Sequence, residues 1–167
     1  TLFFLYETEH NLIRSPELYD LVKEFLNLTT NKADAEAVVV IGGDGSLLDV
    51  VRDTSLNGLP ILPINGGTVG KNLIDLKPDE IECFIKEFLF QGKCIKIKFP
   101  KLVAESVDEN GNVYECSAFN DIWVDRQDSL SVRYDIAISD DEFEEEIQFI
   151  SDSPLSGDGI LFATPMG

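Results

Sequence analysis

One acidic residue stands among glycines at the end of an apolar run, and its position favours chemistry on a phosphate. Residues 38–41 are Val-Val-Val-Ile, and the turn that follows consists of Gly42, Gly43, Asp44, Gly45 and Ser46. Glycines leave no Cβ in the way, so a phosphate can approach the backbone N–H groups that begin the next helix. A carboxylate repels phosphate at close range, so Asp44 is better suited to be a base or a magnesium partner beside it.

The same turn also has a purely structural interpretation. Asp is favoured at the N-terminus of a helix, where its side chain accepts hydrogen bonds from backbone N–H groups that have no helical partner. A single glycine turn therefore leaves both interpretations open.

A second glycine loop follows the next apolar run along the chain. Residues 59–64 are mostly apolar, and Asn65, Gly66 and Gly67 come directly after them, with the loop continuing to Gly70. Loops at the carboxyl ends of neighbouring strands in an open α/β sheet face one crevice. We therefore expect Asn65, Gly66 and Gly67 to line the same ligand as the first loop.

The elements that must position these loops alternate between strand and helix. Apolar runs at residues 2–6, 38–41 and 59–64 predict buried parallel strands. Helices are predicted from Pro16, with Ser15 as the cap, from about Ser46, and from Pro78. The polar residues 7–14 are interpreted as a connection, with His10 in a loop.

From Lys93 onward the apolar residues repeat with a period of two. This alternation predicts strands at residues 95–99, at 130–138, and on both sides of the turn Asn110-Gly111. The acidic residues 140–146 are interpreted as a solvated hairpin tip. The sequence thus predicts an α/β domain over residues 1–92 and an antiparallel β domain over residues 93–167.

Polar residues interrupt the apolar strands of this second half. Asn120-Asp121 lies inside an apolar segment, and Asp158 and Thr164 lie at the two ends of another. Buried polar groups need partners, which a ribose or an amide ligand would supply. A β-bulge or an Asx turn would explain Asn120-Asp121 equally well.

Composition limits the classes of partner. The chain has 13 Lys and Arg against 31 Asp and Glu, a net charge of −18, which opposes binding to nucleic acid or to an anionic membrane. An anionic ligand must then be held by backbone amides, a few cations and a divalent metal ion. The three cysteines lack disulfide or zinc spacing and favour the reducing cytoplasm, and no apolar run has membrane-spanning length.

Taken together, these motifs resemble the NAD kinase family over nearly the whole chain. The resemblance rests on the Gly42–Ser46 turn, on Asn65-Gly66-Gly67, on Asn120-Asp121, and on Gly157-Asp158-Gly159 with Thr164-Pro165-Met166-Gly167. It implies a Rossmann-like open α/β domain followed by a β-sandwich, with the site between them. It also implies that the chain is incomplete at its C-terminus.

The resemblance further implies transfer of the γ-phosphate of ATP, with magnesium, to the 2′-hydroxyl of the adenosine ribose of NAD. Asp44 would accept the hydroxyl proton, and Gly42, Gly43, Gly45 and Ser46 would hold phosphates. Asn120 and Asp121 would contact the dinucleotide, and Asp158 its nicotinamide end. The resemblance also implies a homodimer or a homotetramer. It does not indicate which residues bind the metal ion.

Two departures from the family keep alternatives open. Lys71-Asn72 stands where the family usually has Phe and an apolar residue, and Asp121 stands where it usually has Glu. Lys71-Asn72 is similar to a stretch of the lipid kinases, so a lipid or sugar kinase of the same superfamily is an alternative. A dinucleotide-binding module without catalysis is another.

Overall fold

The computed structural model describes residues 1–67, 70–138, 148–151 and 153–165. The chain divides into two compact units, Thr1–Lys98 and Phe99–Gly167. The first is a parallel α/β unit and the second consists of antiparallel strands. The predicted fold class, α/β followed by antiparallel β, is confirmed.

A four-stranded parallel sheet forms the centre of the first unit. Its strands are β1 (Phe3–Tyr6), β2 (Leu28–Thr29), β3 (Ala37–Gly42) and β4 (Ile61–Asn65), in the order β2-β1-β3-β4. Val39 lies opposite Leu5 on one side and Leu62 on the other. Because β3 and β4 are neighbouring parallel strands, the two loops predicted to bind the ligand leave the same edge of the sheet.

The helices connect these strands. They are α1 (Glu9–Arg14), α2 (Pro16–Phe25), α3 (Asp44–Arg52) and α4 (Pro78–Cys83), which continues as a π-helix over Phe84–Leu89. Short 3₁₀ turns occupy Lys32–Asp34 and Thr54–Leu56. The third predicted helix therefore exists, but its second half has wider turns, with the Phe90 N–H donating to the Ile85 carbonyl at 3.0 Å.

Helices cover both faces of the sheet, which explains why β3 is apolar without alternation. Val39 and Ile41 pack with Val22, Ile81 and Ile85 on the face that α2 and α4 cover. On the other face, Val38 and Val40 pack with Leu47 and Val50 of α3. Every residue of β3 is buried, as expected for a central parallel strand between two layers of helices.

The prediction that residues 7–14 form a connection is wrong in part. Glu9–Arg14 forms α1, and its N-cap Thr8 accepts a hydrogen bond from the Asn11 N–H. Glu9 in the first turn and Arg14 in the last suit the helix dipole. His10 is thus an exposed helix residue rather than a loop residue.

The second unit consists of paired antiparallel strands. They are β5 (Leu102–Val107), β6 (Val113–Ala118), β7 (Asp121–Asp125), β8 (Val132–Tyr134), β9 (Ala137–Ile138), β10 (Gln148–Phe149), β11 (Leu155–Gly157) and β12 (Gly159–Ala163). The pairs are β5 with β6, β7 with β12, β8 with β11 and β9 with β10. The predicted hairpin at Asn110-Gly111 is confirmed, and Gly111 has the positive φ of 81° that the turn requires.

Of the other strand predictions from Lys93 onward, the one at 95–99 is wrong and the one at 130–138 is confirmed only in part. Residues 95–99 form no strand, and Ile95 is 87% exposed. The predicted strand at 130–138 is divided into β8 and β9, because each piece pairs with a different partner. The acidic residues 140–146 lie outside the described residues.

Candidate functional site

The first glycine turn joins the central strand directly to a helix. β3 ends at Gly42, Gly43 is the N-cap residue, and α3 begins with Asp44. The Ser46 N–H donates to the Gly43 carbonyl at 3.0 Å, which closes the turn. Gly45 is exposed. The turn therefore presents backbone at the N-terminus of a nine-residue helix, where an anion is stabilised.

Gly42 has no space for a side chain. A Cβ built on it would lie 2.5 Å from the Ser46 Oγ and 2.7 Å from the Asn11 Nδ2. These distances are shorter than carbon contacts allow, so any larger residue would displace the Ser46 hydroxyl. Glycine at this position is required for close packing of the turn.

The second glycine loop lies directly against the first. The Gly66 N–H donates to the Gly42 carbonyl at 3.0 Å. A Cβ on Gly66 would lie 2.9 Å from the Ser15 Oγ and 3.0 Å from the Ile41 Cγ2. The structure thus brings together the two loops that the sequence placed on neighbouring strands. Thr68 and Val69 of the second loop lie outside the described residues.

The Asp44 carboxylate faces this second loop. It accepts hydrogen bonds from the Lys71 N–H at 3.3 Å and from the Asn72 N–H at 3.4 Å. Both distances are long, so these bonds are weak. Asp44 is partly exposed, and a carboxylate held in this way is oriented yet still accessible to a substrate hydroxyl.

Asn65 shapes the second loop from within. Its Oδ1 accepts the Gly67 N–H at 2.9 Å, and its Nδ2 donates to the Asp75 carboxylate at 2.5 Å. The Asn65 N–H donates to the Ile74 carbonyl at 2.9 Å. The side chain therefore fixes the loop backbone, and Asp75 is a supporting residue that the sequence analysis did not select.

Three polar residues near the first two helices also contact the site. The Asn11 Nδ2 donates to the Ser46 Oγ at 2.8 Å, the Ser15 Oγ donates to the Gly66 carbonyl at 2.6 Å, and the Tyr19 OH donates to the Ile41 carbonyl at 3.0 Å. The prediction that Ser15 caps the helix beginning at Pro16 is confirmed for its position. It stands at the N-cap position of α2, but its side chain makes no cap hydrogen bond.

The environment of Tyr19 strongly favours its neutral form. Burial and, to a smaller extent, the negative charge of Glu7 raise the pKa of the Tyr19 phenol, a hydrogen bond with Asn11 opposes them, and the net result is a pKa of about 12. Its hydroxyl therefore keeps its proton throughout the neutral range. It is a permanent hydrogen-bond donor to the end of β3.

One cation lies near the second loop. A Cβ on Gly67 would lie 3.8 Å from the Arg14 Nη2. Arg14 is the last residue of α1, which places its guanidinium beside a backbone turn in a chain of strongly negative net charge. The sequence analysis missed Arg14, because the helix that carries it was interpreted as a connection.

In the second unit, Asn120 and Thr164 lie together. The Thr164 N–H donates to the Asn120 carbonyl at 2.7 Å, and the Thr164 Oγ1 donates to the Phe119 carbonyl at 2.7 Å. Thr164 is buried, whereas Asp121 is exposed at the start of β7, opposite Ala163. Thr164 thus fixes the backbone beside Asn120.

Asp158 lies at the other end of the same strand pair. Its carboxylate is 3.1 Å from the Arg126 Nη1, and its carbonyl accepts the Arg126 N–H at 2.9 Å. The Asp158 side chain is 73% exposed, so this ion pair contributes little to stability. Asn120 and Asp158 therefore occupy opposite ends of the β7–β12 pair.

Carboxylates and thiols are dispersed over the described residues. No group of three or more His, Cys, Asp or Glu in the described part of the chain could hold a metal ion. The three cysteines, Cys83, Cys94 and Cys116, are free thiols. Among the described residues, no helix is both long enough and apolar enough to cross a bilayer.

Known proteins resemble this chain in both sequence and fold. Residues 5–91 match the family model of the ATP-NAD kinase N-terminal domain. The NAD kinase of Campylobacter jejuni is 32% identical over 169 residues, covering 100% of this chain and 54% of the relative. That of Thiobacillus denitrificans is 32% identical over 142 residues, covering 84% of this chain and 45% of the relative.

A solved structure shows the same fold. Yeast NADH kinase complexed with NADH matches with a TM-score of 0.67 and 15% sequence identity, covering 100% of this chain and 55% of that chain. The chain spans about half the length of the curated relatives it matches. The matched residues 5–91 include both glycine loops and Asp44, and we conclude that this chain belongs to the ATP-NAD kinase family.

Proposed function

We propose that the full-length protein is an NAD kinase. It transfers the γ-phosphate of ATP to the 2′-hydroxyl of the adenosine ribose of NAD, giving NADP. The observation that carries this proposal is the position of Asp44, a carboxylate at the N-terminus of α3 that contacts a second glycine loop through the Lys71 and Asn72 N–H groups.

Phosphoryl transfer depends chiefly on positioning and on neutralising charge. The backbone N–H groups of Gly43 and Gly45, the Ser46 hydroxyl, the helix dipole and the Arg14 guanidinium would hold phosphate oxygens. Gly42, Gly66 and Gly67 would let the loops approach these oxygens closely. These groups would give the site a local positive potential. Without that potential, the net charge of −18 would repel an anionic ligand.

Asp44 would act on the acceptor hydroxyl. The 2′-oxygen attacks the γ-phosphorus as the bond to the β–γ bridging oxygen breaks, which releases ADP. The hydroxyl proton passes to the Asp44 carboxylate. General-base assistance of this kind is typically worth about 10²–10⁴-fold in rate.

The second unit would contribute to NAD binding. Asn120 and Asp121 would contact the dinucleotide, and Asp158 its nicotinamide end. Magnesium would enter bound to the phosphates of ATP and neutralise their charge.

The decisive experiment is a coupled assay of the full-length protein for NADP formation from NAD, ATP and magnesium, with Asp44→Asn in parallel. Asn retains an oxygen that can accept from the second loop but cannot take a proton. We expect kcat to fall by about 10²–10⁴-fold. ATP consumption with NADH, a lipid or a sugar as the phosphate acceptor, but not with NAD, would identify a different substrate class.

Asp49→Asn is the matched control, because Asp49 is an exposed carboxylate on the same helix. We expect its kcat to stay within about twofold of wild type. A folded wild type that forms no NADP would refute the proposed activity. Asp44→Asn turnover within a few-fold of wild type would refute Asp44 as the base.

We also propose that the protein works in the cytoplasm as a homodimer or homotetramer. Three free thiols support a reducing compartment. Light scattering of the full-length protein would measure its mass, and a monomer at the concentration of the assay would contradict the proposed assembly.

A further inference from the structure

Asn11, Ser15 and Tyr19 are spaced four residues apart, and each hydrogen bonds to a different part of the glycine loops or the strand leading to them. The spacing is maintained across the junction of α1 and α2. The Ser15 N–H donates to the Asn11 carbonyl at 3.0 Å, and the Tyr19 N–H to the Ser15 carbonyl at 3.3 Å. We call these three residues the polar row.

Asn11 determines which way the Ser46 hydroxyl can donate. Asn11 is only 7% exposed, and its Nδ2 donates to the Ser46 Oγ at 2.8 Å. A hydroxyl has one proton and two lone pairs. Because one lone pair accepts from Asn11, the Ser46 proton is free to point away, toward a phosphate at the start of α3.

Tyr19 completes the hydrogen bonding of β3. Val38 and Gly42 bond to the β4 side, through the Pro60 carbonyl and the Gly66 N–H. Strand residues alternate, so the Ile41 carbonyl faces β1. However, β1 ends at Tyr6, opposite Val40, and the Tyr19 hydroxyl supplies the donor that a longer β1 would have given.

Ser15 fixes the second loop in the same manner. Its Oγ donates to the Gly66 carbonyl at 2.6 Å and lies 2.9 Å from where a Cβ on Gly66 would be. The row therefore contacts the end of β3 through Tyr19, the first turn through Asn11 and the second loop through Ser15. The segment from α1 to α2 thus contacts both loops.

We infer that Asn11, Ser15 and Tyr19 are positioning residues for the phosphate donor, with Asn11 orienting the Ser46 hydroxyl toward it. This inference rests on the proposed function. It adds a role for the first two helices, which supply no residue that attacks or accepts the transferred group.

A double-mutant cycle in the full-length protein tests the inference. We expect Asn11→Leu and Ser46→Ala each to lower kcat/KM for ATP by about three- to tenfold, with KM for NAD changed less than twofold. The double variant should lose no more than about twofold beyond either single variant, because both remove the same oriented hydroxyl.

An Asn11 that only packs would give a different result. The losses of the two single variants would then multiply in the double variant, and this outcome overturns the inference. A folded Asn11→Leu protein whose kcat/KM for ATP equals that of the wild type also overturns the inference. Thermal unfolding of each variant verifies the fold independently.

Tyr19→Phe provides a second test should Asn11→Leu fail to fold. We expect kcat/KM for ATP to fall about two- to fivefold, whereas Tyr6→Phe should be unchanged. Tyr6 is the matched control, because its hydroxyl has no hydrogen bond among the described residues. Equal behaviour of the two Phe variants overturns the role of Tyr19.

The failure of the proposed function would be seen separately. If the wild type forms no NADP, calorimetric titration with ATP and magnesium still compares wild type with Asn11→Leu and Tyr19→Phe. Weaker ATP binding by both variants supports the polar row without the kinase activity. Unchanged binding by both overturns the row.

Discussion

The two units of this chain use their apolar residues in opposite ways. All the buried apolar residues of the described structure lie in the first unit, where helices cover both faces of a parallel sheet. In the second unit, strands pair two by two, and large apolar residues such as Trp123, Val103 and Leu161 are exposed. The described residues of the second unit thus form strand pairs and include no buried apolar residue.

This difference extends to the candidate site residues. Gly42 and Gly66 lie among residues that leave no room for a Cβ, and buried side chains fix the turns around them. Asp121 and Asp158 are exposed on strand ends. The residues proposed to orient phosphates thus lie among packed neighbours, as positioning within a fraction of an ångström would require.

The sharpest test of this comparison makes the same substitution in two environments. Ile81 is fully buried in the core of the first unit, whereas Ile138 of the second unit is 61% exposed. Ile81→Ala should lower the free energy of unfolding by about 2–5 kcal/mol through lost burial and a cavity. Ile138→Ala should change it by less than about 1 kcal/mol. Urea unfolding measures both, and equal effects would contradict the contrast between the units.

In the second unit, we expect stability to depend on backbone pairing rather than on a core. A Cβ on Gly159 would meet the Val124 carbonyl and the Asp125 Cα, both backbone atoms of β7, whereas one on Gly157 would meet only the Tyr134 side chain. Gly159→Ala should cost about 3 kcal/mol in this unit, and Gly157→Ala about 1 kcal/mol or less. Amide hydrogen exchange of β7 measures the loss, and equal protection in both variants would argue against this account.

In the first unit, we expect packing to exclude a side chain from only one glycine of the first turn, Gly42. Gly42→Ala places a methyl group against Ser46 and Asn11, whereas a Cβ on Gly45 meets nothing within 4 Å. Gly42→Ala should destabilise by about 1–2 kcal/mol. Gly45→Ala should be neutral or stabilising by up to about 1 kcal/mol, since Ala is the better helix residue. Thermal unfolding of the pair checks this, and a harmless Gly42→Ala would mean that the turn is loosely packed.

The smallest expected effect concerns a surface ion pair of the first unit. Hydrogen bonds from Lys32 and then Ser55 lower the pKa of the Asp53 carboxyl from its usual 3.8 to about 2. Because the folded pKa is the lower one, this stabilisation is present above about pH 4 and is lost as the pH falls toward 2. Lys32→Met should therefore unfold at a slightly higher pH than wild type in an acid titration followed by circular dichroism. Identical midpoints would show that the pair contributes nothing.

The sequence predicted a large part of this architecture because several of its signals are local. The continuous apolar run of β3, the Pro16 and Pro78 helix starts and the Asn110-Gly111 turn each depend on neighbouring residues only. The predicted strand at 95–99 is wrong because its signal, too, was only local. Alternation favours a strand, but a strand also needs a partner, and sequence pattern does not supply one.

The sequence by itself determined the family, the order of the three main parallel strands and the helices between them, and the adjacency of two glycine loops with Asp44. Only the tertiary structure decided which side chains support those loops. Asn11 reaches Ser46 across 35 residues, and Ser15 reaches Gly66 across 51. Hydrophobic periodicity and turn chemistry act over a few residues, whereas such hydrogen bonds exist only after the packed sheet and helices bring distant segments within 3 Å.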